Sequence, residues 1–162
     1  MATGPGQLDG IDPAVWDTVS DLILAAHQLN RTTFRQAANR IAEKPVHGPD
    51  KYGVYLYYIG YSVVLKFFGR RPELTDVDVL VDRVWPKYSQ MVGIGKDVLV
   101  ATIKDIVNQT TSANGPRGVT QNLSVSAMLG ALMINPVHEL VAIRPQLAQW
   151  YQRQALQPGT SQ

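Results

Sequence analysis

The sequence predicts an all-α, single-domain bundle of about six to seven helices, and three observations lead there. Apolar residues recur at three- and four-residue intervals in seven separate stretches. Capping residues or first-turn prolines precede several of these stretches. No stretch alternates apolar and polar residues between hairpin turns, and there is no internal repeat.

Asp12 followed by Pro13 is an N-cap oxygen with proline at the first helical position. Val15, Val19, Leu22, Ile23, Ala26 and Leu29 then carry the first helix. Thr32 or Thr33 caps the second, whose narrow stripe of Phe34, Ala37, Ala38 and Ile41 ends before Pro45 and the segment Val46-His47-Gly48-Pro49. The third follows Asp50, runs through five tyrosines to Phe67 and Phe68, and stops near Gly69. Thr75 with Asp78 has the spacing of a capping box for the fourth, and Pro86 is expected to kink or restart it.

Leu99, Val100, Ile103, Ile106 and Val107 mark a fifth helix. After it, a polar loop extends to about Asn122. Ser124 to Ile134 forms a sixth helix of small and apolar residues, expected to be buried on nearly all sides and intolerant of a large residue at Gly130. Asn135 and Pro136 open a seventh, which Pro145 should bend. Residues 1–10 and 155–162 have little to bury and are expected to be flexible flanks of a domain at 11–154.

With 162 residues and 45% hydrophobic side chains, the chain has the composition of one globular domain. Cysteine is absent, which removes disulfides, thiolate metal sites and cysteine nucleophiles and fits a cytoplasmic protein. No signal peptide is expected, because Met1 to Gly10 has no basic residue followed by an apolar run, and no membrane span, because the most apolar stretch, Val54 to Phe68, is short and contains Ser62 and Lys66. A net charge of +2 hides an uneven distribution. Residues 31–71 hold eight bases against two acids, while residues 1–30 hold four acids and no base.

Two features stand out as candidate sites. Five of the seven tyrosines lie between positions 52 and 61, and the third helix consequently has two apolar stripes. Tyr52, Leu56, Ile59, Val63 and Phe67 form one; Val54, Tyr57, Tyr58, Tyr61, Leu65 and Phe68 form the other. Such a helix packs centrally or at a dimer interface, and Tyr55, Tyr57, Tyr58, Tyr61 and Phe68 are its candidate interface or pocket residues. The second feature is the basic segment. Arg31, Arg35, Arg40, Lys44, Lys51, Arg70 and Arg71 would serve a nucleic-acid-binding, helix-turn-helix-like regulator. Against that reading, Arg35 and Arg40 diverge by about 140° on a helix, and the intervening loop is longer than the motif's turn.

Other patterns carry less chemistry. Val92-Gly93-Ile94-Gly95-Lys96-Asp97 lacks the GxxxxGK[ST] spacing of a phosphate loop and reads as an interhelical turn. His27, His47 and His138 are scattered, and His138-Glu139 lacks the second histidine of a zinc-binding HExxH helix. No catalytic residue, metal ligand or cofactor is assigned. The expected role is therefore a non-enzymatic binding or regulatory module acting through protein contacts, with a homodimer as the expected assembly. Nucleic-acid binding through residues 31–71 is one alternative, and a small-molecule site or enzyme with a tyrosine-lined pocket is the other.

Overall fold

The computed structural model describes residues 10–43, 51–108 and 118–155, and among them it is entirely helical. Seven helices follow in order: α1 Pro13–His27, α2 Arg31–Glu43, α3 Lys51–Phe68, α4 Asp76–Met91, α5 Lys96–Asn108, α6 Gly118–Leu132 and α7 Pro136–Ala155. Lys44, His47 and the expected flexible flanks 1–9 and 156–162 lie outside the described residues. No helix of the described residues is long and apolar enough to cross a membrane.

The helix ends show which side chains stop and start the chain. Asp12 caps α1 as expected, its Oδ1 accepting from the amides of Ala14 and Val15. Gly69, at φ +68°, ends α3 by donating its amide to the Leu65 carbonyl. Three expectations are corrected. Asn30 caps α2 in place of Thr32 or Thr33, and its Oδ1 accepts from the Thr33 amide at 3.1 Å. Thr75 makes no side-chain cap on α4; Asp76 accepts from the Glu73 amide at 2.8 Å instead. Finally, α6 begins at Gly118, six residues before Ser124. Within it the Ser124 and Ser126 hydroxyls donate to the carbonyls of Thr120 and Asn122, four residues back, which satisfies these polar groups inside the helix. Pro86 and Pro145 are both carried inside continuous helices.

The bundle is organised around α6, which touches α1, α2, α3, α4 and α5. Ser124 through Gly130 are buried without interruption. Over these turns the helix has no solvent face, so its neighbours enclose it. The closest approach is to the last turns of α1. A Cβ built on Gly130 would lie 2.5 Å from the Ala26 Cβ and 2.7 Å from both the His27 amide nitrogen and the Ile23 carbonyl oxygen. Two of these three atoms belong to backbone, so a small side-chain adjustment cannot relieve the overlap. The Gly130 carbonyl accepts from His27 Nδ1 at 3.0 Å, which places the ring proton on that nitrogen.

α1 then ends in a Schellman turn. Asn30 donates to the Ala25 carbonyl and Leu29 to the Ala26 carbonyl, with Leu29 at φ 56° in the left-handed position that usually holds glycine. This turn reverses the chain into α2. Elsewhere α3 packs against α1, α5, α6 and α7, so the helix with two apolar stripes is flanked by four neighbours. One hydrophobic core connects all seven helices.

Two stability predictions follow from these contacts. Gly130→Ala gains about 1 kcal/mol of helix propensity, but overpacking against backbone costs about 1–3 kcal/mol or more. The variant should therefore unfold at lower urea concentration than the wild type; an equal or higher midpoint would refute the tight crossing. Leu29→Gly removes a left-handed non-glycine residue and should raise stability by up to about 1 kcal/mol in the same measurement.

Candidate functional site

The tyrosines of α3 are largely part of the interior. Tyr52, Tyr55 and Tyr57 are buried, while Tyr58, Tyr61 and Phe68 are half-buried. The Tyr55 hydroxyl accepts from the Asp12 amide at 2.8 Å, tying α3 to the start of α1, and its ring meets Tyr151 edge-on. Tyr57 stacks on Tyr61, and Tyr58 tilts against Trp150 of α7. Burial, with Tyr61 adding to it, pushes the Tyr57 pKa up, so this phenol keeps its proton at neutral pH. Tyr88 of α4 is likewise raised by burial, partly opposed by its 3.1 Å hydrogen bond with Ser124 of α6. These phenols join helices to one another.

Six of the seven candidate nucleic-acid residues are described, and they divide into two groups. Arg40 pairs with Asp21 at 2.6 Å, Lys51 with Asp12 at 3.6 Å, and Arg70 with Asp76 through two contacts of 2.8 Å. In each case a helix or helix end in the basic segment is tied to a neighbour by the cation. Arg31, Arg35 and Arg71 are exposed and make no ion pair with a described residue. Lys44 lies outside the described residues. Half of the six described cations are thus neutralised within the chain.

Arg31 and Arg35 stand one turn apart on α2, and beside them is a cleft of about 250 Å³. Phe34, Ala38, Met91, Ile94 and Leu123 supply its apolar lining, and Val92 and Gly93 complete it. The Gly93-Ile94 segment, an interhelical turn in the sequence, is here the wall opposite α2. Lys96 holds that turn from its far side, 3.9 Å from an Asp82 carboxylate oxygen and 5.6 Å from the Trp85 ring centroid. The cleft therefore draws on α2, the α4–α5 turn and α6, and its lining contains two arginines and no acid.

A second cleft, of about 340 Å³, lies between α3 and α7 and is lined by Ser62, Lys66, His138, Glu139 and Gln146 over Val63 and Ile143. Its carboxylate is already engaged: Glu139 Oε2 accepts from the amides of Ile134 and Asn135 and secures the start of α7. Neither cleft has a tyrosine in its lining. Among the described residues, no three His, Asp or Glu side chains are grouped to hold a metal ion. Just before α7 begins and along its first turns, Ile134, Val137 and Val141 are 90%, 59% and 69% exposed. Helical periodicity marks α7 by its buried side, Leu140, Ile143 and Leu147, and gives no weight to Val137 and Val141; Ile134, expected at the end of a sixth helix buried on nearly all sides, instead lies beyond the end of α6 at Leu132 and is exposed. The spacing of Val137 and Val141, one turn apart, was the available signal.

Comparison with known protein families, curated proteins and solved structures returned no match for this chain. Its functional reading rests on its own residues.

Asp76 gives a pH-dependent check on the α3–α4 connection. The Arg70 guanidinium and then the Glu73 amide hold its carboxyl below the usual carboxylate range. The stabilisation is present in full above the ordinary carboxylate pKa and is lost as pH falls through the lowered native value. Asp76→Asn should thus melt below the wild type at pH 7, with the gap closing as the pH is taken down towards 3. A gap of constant size across a thermal-melt series would show that ionisation of Asp76 contributes nothing.

Proposed function

We propose that this chain is a cytoplasmic, non-enzymatic helical module that acts through protein contacts, with a second copy of itself as the partner. One observation carries the reading, the exposed aliphatic patch of Ile134, Val137 and Val141. Scattered exposed aliphatics are ordinary, but three within eight residues form a surface that water solvates poorly. Among the described residues no other segment of that length presents three large hydrophobics exposed to this degree.

The patch is also held in place. The Glu139 carboxylate fixes the amides of Ile134 and Asn135, and the following turns of α7 are anchored by buried Leu140, Ile143 and Leu147. A preorganised surface binds at lower entropic cost than one that must order first. The patch contains no charge, so its cover must be apolar too, and in a two-fold assembly the same patch on the second copy meets that requirement. Placing the contact on α7 leaves the buried tyrosines of α3 to the core. The absence of cysteine agrees with a reducing, cytoplasmic setting.

Size-exclusion chromatography with light scattering is the direct test. The wild type should run as a dimer that dissociates on dilution, and Val141→Asp should be monomeric with an unchanged helical circular-dichroism spectrum, since the side chain is exposed. A wild type that is monomeric at all concentrations, or a Val141→Asp variant that still dimerises, would overturn the proposal.

A further inference from the structure

We propose that the cleft between α2 and the α4–α5 turn binds a small carboxylate with an apolar body, the anionic head held by Arg31 and Arg35. This site is separate from the α7 patch and uses none of its residues.

Charge is the first argument. Arg31 and Arg35 are four residues apart on α2, about 40° around its axis, and so reach the same side. Whereas Arg40, Lys51 and Arg70 each have a carboxylate within the chain, these two have no ion-pair partner among the described residues. The lining has no acidic residue to compete with an incoming anion. A guanidinium presents a planar fork of donors that matches a carboxylate, and two forks on one side favour a single anionic group.

The floor supplies the second argument. Phe34 and Met91 are buried, Ile94 and Leu123 are half-buried, and together they give the cleft an apolar base directly beside the two cations. A bare inorganic anion would gain nothing from that base, whereas a hydrocarbon chain or ring would be partly removed from water. Met91 adds an adaptable, polarisable contact for a ring or chain. At Gly93, its chain neighbours aside, no atom lies within 4 Å of the position a Cβ would occupy, so open space stands before the backbone at that residue.

Size supplies the third. A volume of about 250 Å³ lies below the roughly 300–1,000 Å³ of sites for drug-sized ligands. It is above the roughly 150 Å³ cavity that encloses a benzene ring. One ring or a short alkyl chain bearing one carboxylate fits that range.

The test is a nitrogen-15 correlation NMR titration of the full chain. 4-Phenylbutyrate and hexanoate are the probes, and 4-phenylbutanamide and inorganic phosphate are the controls. Saturable shifts of the Gly93 and Ile94 amides are expected with both carboxylates, with binding at least tenfold weaker for the amide and for phosphate. Arg31→Gln and Arg35→Gln should each weaken carboxylate binding at least tenfold while leaving the rest of the spectrum in place, because both side chains are exposed. Four outcomes would overturn the proposal: no saturable binding of either carboxylate, an amide that binds as tightly as its acid, phosphate that binds as tightly as either carboxylate, or full affinity in both arginine variants.

Discussion

The contact on which the rest of the molecule depends is the crossing of α6 over the C-terminal turns of α1, where Gly130 has no side chain and the two backbones meet. Because α6 is buried through its central turns, its placement sets the position of every helix around it, and the α1 crossing is the tightest constraint on that placement. The same turns of α1 then lead into the Schellman turn at Leu29. That turn starts α2 at a fixed angle and so decides where Arg31 and Arg35 stand. A steric requirement at one glycine is in this way linked to the position of two exposed arginines that it does not touch.

Polar groups divide between those that fasten helices together and those left to the surface. Asp12 is the clearest fastener, since it caps α1, pairs with Lys51 at the start of α3, and offers its own amide to Tyr55. Arg70 and Asp76 close the connection between α3 and α4 in a comparable way. Ion pairs that reach solvent each contribute little, so the core supplies most of the stability. A segment with six excess positive charges is consequently a less cationic surface than its sequence implies.

Much of the helical architecture was legible because its signals are local. Asp12-Pro13, Gly69 and Asn135-Pro136 act on backbone groups within a few residues, so they mark boundaries wherever the helix goes. The beginning of α6 was not legible. Thr120, Gln121 and Asn122 have the composition of a loop, and their helical conformation continues into the buried turns from Ser124 onward, which pack against the surrounding helices. Thr75 illustrates the same limit, since the structure gives it no side-chain cap and the polar contacts there are made by Asp76 with Arg70 and the Glu73 amide.

For the candidate sites the balance is different. The sequence determined that the chain is helical, that it has no thiol chemistry, that α3 has two apolar stripes and that cations are concentrated in residues 31–71. These follow from composition and from the 3.6-residue period, which need no knowledge of neighbours. Tertiary structure alone decided that Tyr55 and Tyr57 are interior, that Arg40, Lys51 and Arg70 are paired, and that Arg31 and Arg35 stand beside Met91, Ile94 and Leu123. It also decided that Ile134, Val137 and Val141 are left uncovered. The reason is physical: whether an apolar or charged side chain acts on the core, on a partner group or on solvent depends on which elements pack beside it, and that packing joins residues as far apart as His27 and Gly130, 103 positions.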